Sequence, residues 1–600
     1  MSPAATVVPD LLRQRAAEGA DTVALVVDRG PSLTYGQWEE RSNALARGLV
    51  DHGVRVGDRI ALLFDNARWT DYAVAYAGTH KAGAIAVPLG PRFRPAELAN
   101  VLRHAGAVGV VHPAGLAPPD GPGWAAEPAE LEAGQATDSF QVPLAAGDVA
   151  EILYTSGTTG APKGVACTHE NVLFHDPPPE PQPELGPEPE GAGARASLVH
   201  SFPVGTNAGQ EVLRVPLRRG DRTVVVLSVF EAERFCALVA EHGVRRLQLV
   251  PAMAQVILRS GALHRHDLSS VERVVLSSAP SPPSLLRELA AALPHATIWN
   301  TYALTEGGTA RTLMVYDEHR PTSVGRGVGP TEVRVVDDDG HDLPAGAPGE
   351  VWLRRLGYPR RFYWNDPEAT VAGFSGDWLR TGDVGRLDDE GFLHLVDRKK
   401  DLVISGGLNV SSIEVEGVLE EHPAVAEAAV FGLAHEVLGQ DVAAAVVTRE
   451  PVTADQVQPF VRQLQSFVRD RLAEHKTPHH VFLVDALPRN PSGKVLKREL
   501  RDRFGADAAE TAPADPADAP RTDDERVVVA IFEEVLERTG VGVHDDFFAL
   551  GGHSLAATQV VARVNDALAA DVSPVAVFDA PTAAELAALA VGSRQAAAGR

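Results

Sequence analysis

Over its first 395 or so residues the chain alternates strand-like and helical patterns, and that alternation limits what it can fold into. "DRIALLF" (58–64) and "GAVGVVH" (106–112) read as short buried strands. "LTYGQWEERSNALARGLVDHG" (33–53) reads as a helix stopped by Gly53, and "VRRLQLVP" (244–251) and "VERVVLSSAP" (271–280) as strands running into loops. Strand and helix in alternation predict parallel α/β layers. The pattern breaks at "DPPPEPQPELGPEPEGAGARA" (176–196), rich in Pro, Glu and Gly with no apolar period, which reads as a disordered surface excursion. Residues 400–503 read as a smaller α+β stretch. "GADAAETAPADPADAPRTDDE" (505–525) is an interdomain linker by composition, and residues 526–596 are a small helical unit. The fold expected is therefore multidomain: a large α/β part, a smaller α+β part, and an all-α four-helix unit, divided at 1–397, 398–503, a 504–524 linker and 525–600.

Composition narrows the function classes. The 600 residues allow about four domains of ordinary size. Asp and Glu number 80 against 55 Lys and Arg, a net charge of −25, which repels a phosphate backbone and argues against nucleic acid as a partner. Cys167 and Cys236 are the only cysteines, too few for a disulfide framework or a CxxC zinc site. No signal peptide is evident and no apolar run approaches a membrane span, so a cytoplasmic protein without a membrane partner is expected; a monomer is expected as well.

Two stretches carry chemistry. In "DDFFALGGHSLAATQVVARV" (545–564), Ser554 follows Gly551, Gly552 and His553 at the start of an apolar-periodic helix. It reads as a helix N-cap, as a GxSxG nucleophile, or as an attachment serine. The second fails because position 556 is Ala. The segment resembles the peptidyl carrier motif D-x-F-F-x-L-G-G-H/D-S-L, which implies a 4′-phosphopantetheine arm on Ser554 and a phosphopantetheinyl transferase as partner. "LYTSGTTGAPKGV" (153–165) looks like a phosphate loop but lacks the Gly-Lys-Ser/Thr ending of a P-loop.

That loop resembles the AMP-forming adenylating superfamily, which includes acyl- and aryl-CoA synthetases and nonribosomal peptide adenylation domains. "NTYALTEGG" (300–308), "WLRTGDVGRLDDEGFLHLVDRKKDLVISGGLNVSSIEVE" (378–416) and "PRNPSGKVLKREL" (488–500) resemble further signatures of that superfamily, in its order. The reaction brings a carboxylate to the α-phosphate of ATP, anion against anion, so charge neutralisation and positioning should dominate. The resemblance implies that Thr155, Ser156, Gly157, Thr158, Thr159, Gly160 and Lys163 wrap the outer phosphates. Thr305 would touch the α-phosphate and Glu306 would hold Mg²⁺. Tyr302 offers adenine a flat face, with Ala279 also at the nucleotide. Asp383 accepts from the ribose hydroxyls and Arg398 adds a contact. Lys494 is the expected catalytic lysine, a point charge on a flexible stem able to reach both anions. Lys400 sits at the hinge, and Gly406 and Gly407 would line a pantetheine tunnel where only bare backbone fits.

The likeness departs at two places. Ala303 replaces a usual Gly, and its methyl either narrows the pocket floor or is tolerated outright. In "LVHSFPVGTNAGQEVL" (198–213) amino-acid-activating relatives carry an Asp that holds the substrate ammonium, and here no acid precedes Glu211. Aligned with aryl-acid-activating relatives the segment reads His200-Ser201-Phe202-Pro203-Val204, with a neutral hydroxyl at the anchor position. The substrate expected is an aryl or acyl acid lacking an α-amino group. Ser201, Phe202, Thr206, Asn207, Thr301, Thr309 and Ala310 are candidate pocket residues.

The leading expectation is an adenylating ligase that loads its own Ser554. The alternatives are an acyl- or aryl-CoA ligase using free CoA, an amino-acid-activating didomain, a noncatalytic scaffold and a luciferase-like oxygenase. The segment "DRKKDLVISGG" favours the CoA ligase; the fused carrier, a thiol at high effective concentration, favours self-loading. No HHxxxDG condensation motif and no thioesterase serine motif occur. The loaded acid is expected to pass in trans to a downstream condensing or acyl-transfer enzyme, as from a loading unit of natural-product biosynthesis.

Overall fold

The computed structural model describes residues 6–91, 93, 95–116, 121, 123–155, 163–174, 196–220, 222–435, 438–453, 456–489, 494–507, 519–536, 540–545, 547, 550, 554–573 and 576–598. It divides into two compact units, Met1–Lys399 with Arg489–Lys494, and Lys400–Pro488 with Val495–Arg600.

The first unit begins as the alternation predicts. A seven-stranded sheet runs in the order Phe362–Tyr363, Lys163–Thr168, Val149–Thr155, Ile85–Leu89, Arg59–Leu63, Ala107–Val111, Trp124–Ala126. Its inner junctions are parallel, and the strand Arg59–Leu63 is an almost wholly buried apolar run, as a strand covered on both faces should be. The helix Tyr35–Asp51 starts where Thr34 accepts from the Gln37 N–H at 3.2 Å and Gln37 reciprocates, and Gly53 follows its end at φ +84°. A four-stranded sheet, Ser32–Thr34, Val23–Val27, Arg222–Val226, Ala196–His200, carries the segment leading to the helix Asn207–Arg219.

From Thr297 onward the prediction of α/β layers fails. Strands Arg246–Leu249, Arg273–Leu276 and Thr297–Ala303 are parallel, but the sheet then continues through antiparallel strands as far as Thr331–Val336. The reason is local turn chemistry. Asp337 accepts from the N–H groups of Asp339 (3.0 Å) and His341 (2.8 Å), and Asp388 does the same for Glu390 (3.0 Å) and Phe392 (2.8 Å). Gly340 and Gly391 supply the positive φ, +84° and +80°. Such tight Asp-started turns return the chain antiparallel and leave no room for a crossover helix.

In the second unit, strands Leu408–Val410, Val403–Ser405, Gly439–Thr448 and Val425–His435 form an antiparallel sheet with His480–Leu483 added in parallel, beside the helices Ser412–Glu420, Val457–Arg469 and Lys497–Asp507. The last stretch has helices at Asp523–Val535, Ser554–Leu568, Ala576–Asp579 and Ala583–Ala598, sharing a core with Phe532, Phe547, Val560, Val564 and Leu586. The expected linker is trimmed at both ends. One helix runs on to Asp507, and the next starts at Asp523 because Thr522 and Glu525 form a capping box. Residues 508–518 lie outside the described residues, as does the Pro/Glu-rich excursion except Ala196, which opens a strand. Among the described residues no helix is long and apolar enough to cross a membrane.

Candidate functional site

The strands Val149–Thr155 and Lys163–Thr168 pair antiparallel, with Thr155 opposite Lys163. Both ends of the proposed phosphate loop are thus pinned to a sheet, while Ser156, Gly157, Thr158, Thr159 and Gly160 lie outside the described residues. The ammonium of Lys163 sits over the ring of Tyr363, 5.0 Å from its centroid.

The strand Thr297–Ala303 delivers the turn that follows it. Tyr302 donates its hydroxyl to Asp383 Oδ2 at 2.6 Å, and Arg398 Nε is 3.1 Å from Asp383 Oδ1. Asp383 and Arg398 face each other across paired strands, so the sheet register itself makes this contact. Asp383 is buried, and burial next to its carboxylate pushes the Tyr302 phenol well up, keeping it a donor. Ala303 is exposed at the strand's end, opposite Arg311. Ala279 is exposed in the loop after Arg273–Leu276.

Thr305 and Glu306 are braced from behind by a segment that sequence reasoning missed. Buried Arg361 donates from Nη1 to the Thr305 carbonyl at 2.6 Å and from Nε to Tyr358 Oη at 3.1 Å. The Tyr358 hydroxyl lies 2.2 Å from where a Cβ at Gly308 would stand, and Gly308 has φ +60°, so this position needs glycine on both counts. Tyr363 donates to Glu306 Oε1 at 3.0 Å. The donor set fits ATP with Mg²⁺: one half-buried carboxylate that can share a hard cation with phosphate oxygens, a lysine at the loop, and a buried carboxylate for hydroxyl donors. When bound, the metal would neutralise phosphate charge; the chain's part is to hold Glu306 and Thr305 in place.

The expected substrate region is built on the helix Asn207–Arg219. Thr206 caps it, accepting from the Gly209 N–H at 3.1 Å and donating to the Pro203 carbonyl at 2.8 Å, so its side chain is committed to the cap rather than free to line a pocket. Ala310 is likewise packed into a core with Val324, Val351 and Leu393. Ser201 is half-buried and its carbonyl accepts from Asn66 Nδ2 at 3.3 Å; Phe202 is buried and stacks on His200 with centroids 6.0 Å apart. Among the described residues, Asn207 Oδ1, Thr301 Oγ1, Thr309 Oγ1, Gln210 Nε2 and His200 Nε2 are buried without a hydrogen-bond partner. Buried polar atoms of this kind call for a ligand atom or a water. Gln210 and His200 are linked through a chain of contacts. Gln210 accepts from Tyr72 at 2.7 Å, Tyr72 meets Trp69 edge-on at 5.6 Å, and Trp69 meets His200 edge-on at 5.0 Å.

The acid Glu211 is spoken for. Arg214 Nη1 lies 2.9 Å and Arg218 Nη1 3.0 Å from its two oxygens. Burial pushes its carboxyl up, but Arg218 and Arg214 outweigh that and bring it down to about 2. Arg214 also pairs with Glu151, which accepts from Tyr76 at 2.8 Å. Both oxygens of the one carboxylate in this helix turn are thus paired with arginine.

Three buried histidines predict acid sensitivity. His200 accepts at Nδ1 from the Phe202 N–H at 3.1 Å, and burial pushes it down to about 3. His169 accepts from the Val8 N–H at 3.3 Å and is brought to about 4 by burial; burial also holds His80 well below its ordinary value. Each is a base whose folded value lies below the unfolded value of ~6.5. Below that pH the unfolded chain takes up protons that the folded chain refuses, so stability present above ~6.5 is lost as pH falls, by about 1.4 kcal/mol per unit for each histidine. The melting temperature should fall between pH 7 and 5.5, before ordinary carboxylates titrate. A flat melting temperature down to pH 5 would contradict these assignments.

Lys494 is half-buried and grouped with the first unit; Lys400, exposed, is the first residue of the second. Gly406 and Gly407 turn the hairpin between Val403–Ser405 and Leu408–Val410 with φ of +57° and +82°. A Cβ at Gly407 would meet nothing within 4 Å, so glycine is required here by the sign of φ and not by crowding. Ser554 opens the helix Ser554–Leu568.

The hairpin that holds Lys163, the paired Asp383 and Arg398 and the braced Thr305–Glu306 turn fit a nucleotide-using enzyme. Family models agree. One described as AMP-binding enzyme matches residues 12–363, one described as AMP-binding enzyme C-terminal domain matches 414–494, and one described as phosphopantetheine attachment site matches 526–590. The chain belongs to the AMP-binding enzyme family. It is 34% identical over 513 residues to a long-chain-fatty-acid–CoA ligase of Mycobacterium tuberculosis, covering 83% of this chain and 98% of that one. It is 31% identical over 519 residues to a fatty acid–[acyl-carrier-protein] ligase of Streptomyces coeruleorubidus, covering 82% and 96%. The solved o-succinylbenzoate–CoA synthetase of Bacillus subtilis, in complex with its acyl-adenylate intermediate, superposes with a TM-score of 0.72 at 28% identity, covering 82% of this chain and 98% of that one. The protein is thus an ATP-dependent enzyme of acid adenylation with a phosphopantetheine attachment domain.

Proposed function

We propose that this enzyme adenylates a carboxylic acid lacking an α-amino group and transfers the acyl group to the phosphopantetheine thiol on its own Ser554. The observation that carries the substrate class is the engagement of Glu211 by Arg214 and Arg218, on the same helix as the neutral unpartnered atoms of Asn207 and Gln210. A buried ammonium needs a carboxylate partner, and a neutral hydrogen-bonding substituent needs only these groups. In the reaction, Thr305 and Glu306 hold the α-phosphate and the metal, Asp383 and Arg398 the ribose, and Tyr302 the base. Lys494 neutralises the carboxylate and α-phosphate as they meet, the bond to pyrophosphate breaks, and Lys163 attends the departing group. In the second half, the thiolate displaces AMP past Gly406 and Gly407, with motion about Lys400. The loaded acid then passes to a downstream condensing or acyl-transfer enzyme, as from a loading unit of a biosynthetic pathway.

Pyrophosphate exchange with paired acids tests the substrate class. Aryl or acyl acids should exceed their α-amino counterparts by about 100-fold, the cost of an unpaired charge in the pocket. Exchange led by an ordinary α-amino acid would overturn it. A free-CoA ligase is the second reading, favoured by the CoA ligase at 34% identity; it predicts acyl-CoA release at rates unaffected by loss of Ser554.

A further inference from the structure

Tyr363 touches two parts of the nucleotide site that are far apart in the chain. Its hydroxyl donates to Glu306 Oε1 at 3.0 Å, and its ring lies 5.0 Å from the Lys163 ammonium. Its own position is fixed from several sides. The Phe362–Tyr363 strand pairs with Lys163–Thr168, setting Tyr363 opposite Val165. Its N–H donates to Thr370 Oγ1 at 2.9 Å, and a Cβ at Gly373 would come within 3.2 Å of its ring. One residue earlier but one, Arg361 grips the Thr305 carbonyl at 2.6 Å.

We infer that Tyr363 is a positioning residue that couples the metal-holding carboxylate to the phosphate-loop lysine. The inference rests on the reading of Glu306 as the Mg²⁺ ligand. The phenol occupies Oε1 and so orients Glu306 with Oε2 available to a cation. The ring face seats Lys163 on the same side chain, so the lysine and the carboxylate share one anchor. A single rigid side chain therefore sets the spacing between the two charges that a metal–triphosphate must meet.

The test is calorimetric binding of α,β-methylene-ATP, which cannot be cleaved, with and without Mg²⁺. Tyr363→Phe keeps the ring and removes the hydroxyl. Its metal-free affinity should match the parent, while the tightening produced by Mg²⁺ should shrink by about tenfold, the scale of one lost hydrogen bond to a carboxylate. Tyr363→Leu should weaken metal-free binding as well, since Lys163 loses its seat. A merely structural role would lower the melting temperature and weaken both affinities of Tyr363→Phe together, which would overturn the inference. Parent-like Mg²⁺ tightening in Tyr363→Phe would also overturn it. Glu306→Gln separates the two levels. If Glu306→Gln retains the Mg²⁺ effect, the reading of Glu306 falls; if it loses the effect and Tyr363→Phe does not, the coupling alone falls.

Discussion

Lys494→Ala should reduce pyrophosphate exchange by about 10²–10³-fold and leave thioester formation from supplied acyl-adenylate within a few-fold of the parent. The asymmetry follows from where charge is concentrated. Adenylation forces a carboxylate against a phosphate, and at ~4 Å two such charges repel by several kcal/mol in a partly dry site. A half-buried lysine is a compact charge that can lie between them. Thiol attack on an acyl-adenylate joins a thiolate to an already activated carbonyl and has no comparable clash. Both rates are measured on one protein sample, with a melting curve to show that folding is intact. Equal losses in the two half-reactions would remove Lys494 from the adenylation step.

Ser554→Ala should abolish acyl attachment to the protein and leave pyrophosphate exchange unchanged. The effect is total because the attachment chemistry needs a hydroxyl oxygen that alanine lacks. Helix Ser554–Leu568 should persist, since alanine is a strong helix former. Intact mass and exchange assays on the same variant read the two outcomes. Residual acylation in Ser554→Ala would mean a different acceptor.

Much of this architecture is written in short-range signals. The Thr34 cap and Gly53 stop mark one helix, and motif order identifies Asp383, Arg398 and Tyr302, which meet as a hydrogen-bonded cluster. The antiparallel part of the first unit, residues 311–398, departs from the alternation, although "DDDG" and "DDEG" each begin with the Asp that closes the turn. Arg361 and Tyr363 reach partners 56 and 57 residues away, and no local pattern reports a contact of that separation. The buried charges were equally hidden. Tyr72, Tyr76 and His80 fall at helical spacing within "YAVAYAGTH", an otherwise small and apolar stretch, and they line the polar layer containing Glu151 and Arg214. A stripe of polar aromatics inside an apolar helix is the signal that could have found it. Thr206 and Ala310 show the converse, residues with pocket-like chemistry that the fold uses for a cap and a core.

Self-loading requires that the activated acid go to Ser554 of the same chain in preference to free CoA. The direct measurement is intact mass of the pantetheinylated full chain, taken over time with ATP, Mg²⁺, an accepted acid and excess free CoA. Self-loading gives a mass gain equal to the acyl group on nearly every molecule, absent in Ser554→Ala, before acyl-CoA accumulates. Rapid acyl-CoA formation with an unacylated carrier would contradict it.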